Sequence, residues 1–171
     1  MNLKWICAVL FTSLLTCLLL CAGLCRAEET VCGLSTERIA AYQERISPFR
    51  DEIQSTLRDF NVDEQFIWLA MVESGGHNDA KSDAGAVGLW QLTSATARHY
   101  GCEDRLDAEC STMAAVRYLV KLLKDFDGNV WDVIVAYNMG GTNYRRAGKA
   151  TNEAASLANT VTCLMETYDD D

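Results

Sequence analysis

From residue 35 onward the apolar positions recur at helical spacing, with no run of strand-like alternation. Ile39, Tyr42, Ile46, Phe49, Ile53, Leu57 and Phe60 follow at steps of three or four. That spacing predicts an amphipathic helix over Ser35 to Phe60, or two helices broken near Pro48, the only proline. Asn61, with Glu64 three residues on, has the form of a capping box for the next helix. That helix carries Phe66, Ile67, Trp68, Leu69, Ala70, Met71 and Val72, so it is apolar on most faces and belongs in the core. Gly75-Gly76 is expected to end it. Residues 77–87 are small and polar, which predicts a loop, and a short helix follows over Thr93 to Tyr100. Ser111 is the expected cap of a long helix with Ala114, Ala115, Tyr118, Leu119, Leu122, Leu123 and Phe126 facing inward, stopped by Asp127-Gly128. Asn129 opens another, through Val130, Trp131, Val133, Ile134 and Val135, broken at Gly140-Gly141. Thr151 caps a last helix to about Tyr168, ahead of an acidic tail. The pattern is mainly α, one compact domain without internal repeat or linker.

The first residues depart from this pattern. Lys4 precedes an uncharged apolar stretch from Trp5 to Leu24, and Cys25-Arg26-Ala27 has the small residues of an A-x-A-like cleavage site. An export signal cleaved after Ala27 is the expectation, and with it a periplasmic or cell-envelope location. A retained membrane anchor competes, because the stretch is nearly long enough to span a bilayer. A lipid-modified cysteine is a weaker alternative, since Cys21 and Cys25 each follow a leucine. The expected organisation is signal peptide 1–27, N-terminal helical segment 28–60 and main domain 61–171.

Removing residues 1–27 removes two basic groups and no acid, so the formal charge moves from −9 to −11. Such acidity argues against nucleic acid, which needs a basic face. The mature chain keeps Cys32, Cys102, Cys110 and Cys163. Export makes two disulfides the natural reading, and four cysteines allow three pairings. Cys102 with Cys110, a short local loop, and Cys32 with Cys163, tying the two ends, are favoured. Zinc is the competing use of these thiols, but no C-x-x-C or paired histidine spacing supports it. His77 and His99, the only histidines, have no partnered nucleophile or metal spacing and read as loop or surface residues. No metal and no cofactor is expected.

Three separated blocks carry the chemistry: Glu73-Ser74-Gly75-Gly76, Gly88-Leu89-Trp90-Gln91-Leu92 and Ala136-Tyr137-Asn138-Met139-Gly140-Gly141. They supply one carboxylate, two amides and a phenol beside glycines. Such a set suits a polar polymer gripped in a groove and cut by one acid. Glu73 is the candidate acid. The negative end of its helix dipole and burial beside Trp68, Leu69 and Val72 both disfavour the carboxylate and raise its pKa. A general acid working near neutral pH needs that shift. Ser74 can bond the carboxylate or cap the turn. Gly88 permits an unusual backbone angle or a close approach. The Gln91 amide donates and accepts at once, and Tyr137 can stack on a sugar or bond the acid. Each of these has an ordinary structural reading in isolation; the conjunction is the signal.

The blocks, in this order, resemble the catalytic domain of the soluble-type lytic transglycosylases, which cleave peptidoglycan glycan strands. The pattern runs Glu73-Ser74-Gly75, Asn78, Ala80, Ser82, Gly85-Ala86-Val87-Gly88-Leu89-Trp90-Gln91-Leu92, Ala95-Thr96-Ala97, Arg105, Asp107, Ser111, Ala136-Tyr137-Asn138 and Gly140, over about residues 62–148. It is most similar to the branch of membrane-bound enzymes with Gly-Leu-Trp-Gln rather than Gly-Leu-Met-Gln. Met139 before two glycines, and Thr93-Ser94 where the family often has Met-Pro, are departures that bear on subsite shape and remove no reacting group.

The resemblance implies a lysozyme-like fold with an added N-terminal helical segment. It implies Glu73 as the single catalytic residue, with Ser74, Ser82, Gly88, Gln91, Tyr137 and Asn138 binding substrate. The implied cut lies between N-acetylmuramic acid and N-acetylglucosamine and closes a 1,6-anhydro ring. The implied partner is the peptidoglycan glycan strand; envelope-spanning secretion or conjugation machinery stays open, and a monomer is expected. The acidic chain has no long-range attraction for an anionic wall, so its grip must come from local hydrogen bonds and stacking. A hydrolytic lysozyme using Glu73 with Asp79 or Asp83 is the alternative, although aspartates there serve well as turn residues. A non-catalytic glycan-binding envelope protein is a third reading, and Glu73 beside Gln91 and Tyr137 argues against it.

Overall fold

The structure is a computed structural model that describes residues 29–169, so the expected export signal falls outside the described residues. It opens with a hairpin of β1 (Thr30–Val31) and β2 (Leu34–Ser35), in register Thr30 to Ser35 and Val31 to Leu34. Cys32 (φ 54°) and Gly33 (φ 80°) form its two-residue turn, both in the left-handed region. Strands of two residues are too short to leave an alternating pattern, so the periodicity could not reveal them.

Helices α1 (Thr36–Ile46) and α2 (Arg50–Asp59) follow, joined by a 3₁₀ turn over Ser47–Phe49. Pro48 makes the break, as the second of the two sequence expectations had it. A further 3₁₀ turn (Glu64–Phe66) leads into α3 (Ile67–Ser74). Then come α4 (Ser94–His99), α5 (Ala108–Asp125), α6 (Val130–Met139), α7 (Gly141–Ala147) and α8 (Asn152–Thr167). The fold is mainly α, with one buried cluster that includes Ile39, Ile53, Leu69, Leu119, Ile134 and Leu164. The N-terminal helices therefore share the core of the rest.

Helix α3 is the hub. Ile67 through Met71 are all buried, and the helix touches α1, α2 and α8. Helix α6 is buried from Val133 through Tyr137 and packs most extensively on α8. Helix α8 meets its neighbours with Ala154, Ala158, Val161, Leu164 and Met165, and its alanines allow close approach. This packing brings the end of α3, the end of α6 and the start of α8 together, although they are far apart in sequence.

Two local expectations need correction, and one helix was not foreseen. Asp63 caps the turn before α3, its carboxylate accepting from Gln65 N, whereas Asn61 closes the preceding helix with φ 53°. An N-cap needs extended backbone, and Asn61 is one of the few residue types that accepts the left-handed turn instead. Helix α5 begins at Ala108, capped by Asp107, so Ser111 lies one turn inside, buried, with its Oγ donating to Ala108 O. The break of α6 at Gly140 is as expected, and Gly141 starts α7, a helix that the apolar pattern did not reveal.

The disulfides join Cys32 to Cys163 and Cys102 to Cys110, the favoured pairing, with Cα–Cα distances of 5.6 and 5.3 Å. The first ties the hairpin turn to α8 across 131 residues of sequence. In the chain-entropy picture a loop that long is worth about 4–5 kcal/mol of denatured-state constraint.

Candidate active site

Helix α3 ends where Gly75 (φ 63°) and Gly76 (φ 77°) turn left-handed. Ser74, 7% exposed, secures this end: its Oγ donates to Ala70 O at 2.8 Å and accepts from Gly76 N at 3.1 Å. Its hydroxyl is thus used inside the turn. Arg45 adds a bond from Nη1 to Gly75 O at 2.8 Å. The last turn of α3 is held rigidly, and Glu73 projects from it into a cavity of about 340 Å³.

Ser82, Gln91, Tyr137, Asn138 and Glu153 share that cavity with Glu73. Ser82 sits at its exposed rim, with Oγ accepting from Ala86 N at 3.0 Å. Gln91 has φ 46°, and its Nε2 donates to Gly88 O at 2.9 Å and Ala80 O at 3.2 Å. The amide nitrogen is spent on backbone, which leaves the amide oxygen for a donor. Gly88 lies behind the wall at φ 85°, where a Cβ would stand 2.3 Å from Arg105 O. Arg105 Nη1 donates to Gly85 O and Leu92 O at 2.8 and 3.0 Å, and Asn78 Nδ2 donates to Leu106 O at 2.7 Å. The polar loop is therefore fastened to the 105–106 segment, and the wall of the cavity is stiff.

Tyr137 is 7% exposed, and its hydroxyl donates to Trp90 O at 2.8 Å. The phenol thus links two of the three sequence blocks instead of bonding the acid. Its ring packs on Tyr118 with centroids 5.3 Å apart, and Tyr118 packs on Tyr100 at the same spacing. Burial raises the Tyr137 pKa well above the phenol range, so it stays a neutral donor. Asn138, the next residue, is exposed and turns its amide toward Glu73.

Burial is the main cause that pushes the Glu73 pKa up to about 7. The negative charge of Glu153 raises it further, and the hydrogen bond from Asn138 opposes the shift. The group is therefore divided between acid and base forms near neutrality. The arrangement is a buried carboxyl able to give and take a proton, with a second carboxyl, Glu153, in an open groove otherwise lined with amide, hydroxyl and aromatic groups.

The family description "Transglycosylase SLT domain" matches residues 51–159. The chain belongs to the SLT transglycosylase family. The match extends beyond residues 62–148 at both ends, taking in most of α2 and the first half of α8. Membrane-bound lytic murein transglycosylase D of Escherichia coli strain K12 is 34% identical over 116 residues, 64% of this chain and 25% of that protein. Membrane-bound lytic murein transglycosylase F of Desulfosudis oleivorans is 34% identical over 130 residues, 71% of this chain and 28% of that protein. The chain thus spans about a quarter of the length of these relatives.

Within this SLT domain the cavity gathers Glu73, Ser82, Gln91, Tyr137 and Asn138. Ser74 and Gly88 lie outside its lining and shape it from behind. Asp79 and Asp83 are exposed loop residues, also outside the lining. His77 and His99 are exposed as well. The second carboxylate in the groove is Glu153, which the sequence reading did not single out. Thr151 was legible as a cap, so Glu153 could be placed in a first helical turn, but nothing local points it at Glu73. Thr93, Thr96 and Tyr118 are further lining residues: Thr93 was legible as a departure bearing on subsite shape and Thr96 as part of the pattern, whereas Tyr118 read only as an inward-facing helix position.

Proposed function

We propose that this SLT-family chain is a peptidoglycan lytic transglycosylase with Glu73 as its single acid and base. The observation that supports the reading best is the placement of Glu73, which lines an open polar groove at the end of α3, where burial pushes its pKa up to about 7. The acid form protonates the glycosidic oxygen between N-acetylmuramic acid and N-acetylglucosamine, and that bond breaks. The substrate's N-acetyl oxygen stabilises the positive charge at C1. The resulting carboxylate takes the proton of the muramic acid C6 hydroxyl, whose oxygen closes on C1. Glu73 ends protonated, ready for another cycle, and no water is consumed. Asn138 and the Gln91 oxygen orient the sugars, and Tyr137 holds the wall through Trp90. The protein acts, on this reading, as an exported monomer on glycan strands in the cell envelope. Among the described residues no helix is long and apolar enough to cross a membrane. Envelope-spanning secretion or conjugation machinery is the class of larger assembly that such a cutter would serve.

The products test the reaction. Fragments released from purified peptidoglycan are expected to end in 1,6-anhydro rings, each lighter by one water than its hydrolysed counterpart and without a reducing end. Asp79→Ala and Asp83→Ala are expected to keep cutting. Mass spectrometry showing mainly reducing-end fragments would move the chain to the hydrolytic lysozymes.

Glu153 gives that second reading a specific partner, since it is the carboxylate that faces Glu73 across the groove. The transglycosylase reading assigns it a milder part, holding the Glu73 proton through its negative charge. Glu153→Gln is then expected to lower the Glu73 pKa. The pH–rate profile shifts toward acid, and anhydro products persist. Loss of cutting as complete as that of Glu73→Gln would mark Glu153 as a second reacting carboxylate instead.

A further inference from the structure

The family match begins at residue 51, so the hairpin and α1 lie outside it. Thr36 N donates to Glu29 O at 3.1 Å, which closes the hairpin onto the start of α1, and Cys32–Cys163 ties the hairpin to α8. Ile39 and Ile46 anchor α1 in the core. The last turn of α1 then runs against the Gly75-Gly76 turn, which directly follows Glu73 and Ser74. One segment thus reaches both helices that carry the carboxyls of the groove, α3 with Glu73 and α8 with Glu153.

The contact at the turn is close. A Cβ on Gly76 would stand 2.9 Å from Tyr42 O, 3.0 Å from Arg45 Cβ and 3.4 Å from Ile46 N, so the backbone of α1 lies directly on this glycine. A Cβ on Gly75 would meet the Tyr42 ring at 3.4 Å. Arg45 completes the contact, with Nη1 donating to Gly75 O at 2.8 Å. A helix end leaves carbonyls without partners inside the helix. Ser74 serves this end from within the turn. Among the described residues, the bond from Arg45 is the one hydrogen bond that reaches the backbone of residues 74–76 from another element. A basic residue in the last turn of a helix ordinarily offsets the negative end of its own helix. Arg45 stands in the last turn of α1, but its guanidinium crosses to the end of α3.

We propose that Arg45 is a positioning residue for Glu73: together with the backbone of α1 it braces the end of α3 and so fixes where the carboxyl stands in the groove. This rests on the proposed role of Glu73 and goes beyond it, because it gives the segment before residue 51 a part in the reaction. Arg45 is exposed and does not line the cavity, so it reaches the sugar only through Glu73. The proton on Glu73 answers to burial, Glu153 and Asn138, which leaves Arg45 position rather than charge as its means. Displacing a reacting group by about 1 Å can cost on the order of 10²-fold in rate. Ser74 keeps its own bonds, so loss of the brace alone costs less.

The test uses the disulfide-bonded protein and soluble glycan strands, at a temperature where thermal melts show every variant folded. Arg45→Ala is expected to lose about tenfold in kcat with KM within about twofold, since the groups that bind the sugars are untouched. Arg45→Lys returns one charged donor to Gly75 O and is expected to recover most of the loss. The pH–rate profile keeps its position in both. Arg58→Ala removes an exposed pair with Glu64 ahead of α3 and is expected to cut as the wild type does. Strand binding by Glu73→Gln is expected to be the same with and without Arg45→Ala. An unchanged kcat, a loss carried by KM, no rescue by lysine or a shifted pH–rate profile overturns the proposal. Should Arg45→Ala not fold, Arg45→Gln, polar but too short to span to Gly75 O, is read in its place. If the wild type releases reducing-end fragments, the transglycosylase reading fails by itself, and the comparison of kcat still decides this inference. If the wild type does not cut, amide hydrogen exchange at Gly76 and His77 decides it: faster exchange in Arg45→Ala supports the brace, and equal exchange removes it.

Discussion

Glu73→Gln is expected to abolish glycan cleavage and at the same time to make the protein more stable above neutral pH. The amide nearly matches the carboxyl in shape but cannot deliver a proton, and general acid–base catalysis is worth roughly 10²–10⁴-fold. The stability effect follows from the raised pKa. Below pH 4.5 the carboxyl is protonated in both folded and unfolded chains, so Glu73 carries no ionisation penalty. Between 4.5 and about 7 the unfolded chain releases its proton and the folded chain retains it, so stability falls as pH rises. Above about 7 the penalty is complete, on the order of 3 kcal/mol. The glutamine variant escapes it. Its Tm should exceed that of the wild type at pH 8 and approach it at pH 4. A variant that cut at near-normal rate with a native circular-dichroism spectrum would remove Glu73 from its role. Equal Tm values at pH 8 would show that the protein does not hold this carboxyl against ionisation.

Gly88→Ala is expected to cost the most structurally. At φ 85° the new Cβ would stand 2.3 Å from the backbone oxygen of Arg105, and backbone cannot swing aside as a side chain can. Either the loop or the 105–106 segment must move, and Arg105 no longer reaches both Gly85 and Leu92. A loss of about 3 kcal/mol or more is expected, from left-handed strain plus overpacking. Gly85→Ala isolates the clash. Gly85 has a similar φ of 82°, but its added methyl would meet nothing within 4 Å. Thermal melts of the two variants decide the matter. If they melt together, the close approach at Gly88 is not what fixes the loop. Activity should fall further for Gly88→Ala, because the Gly88 carbonyl holds the Gln91 amide.

The contrast between these two glycines illustrates what a sequence conveys. Both sit in one motif, and both look like turn glycines. Only the path of the 105–106 segment, brought against the loop by the start of α5, makes one of them irreplaceable. The same holds for Ser74 and Tyr137. Each carries a polar group suited to a substrate, but Ser74 spends its hydroxyl on the α3 turn and Tyr137 spends its own on Trp90 O. A motif records that a polar atom is needed; it does not record which partner takes it.

The sequence by itself determined the helical class, the end of α3 at Gly75 and the identity of the candidate acid, and it offered the break at Pro48 as one of two readings. These rest on local physics: spacing of apolar residues, fixed proline φ, left-handed glycine and the dipole at a helix end. It also carried the resemblance to the SLT family, because the three blocks keep their order and spacing. The tertiary structure decided what depends on residues far apart in the chain. Packing of α3 on α8 brings Glu153 to Glu73, and packing of α1 on α3 brings Arg45 to Gly75. Electrostatic influence on a proton and the support of a helix end are properties of distance in space. Side chains from separate helices set both, and no local pattern records that distance.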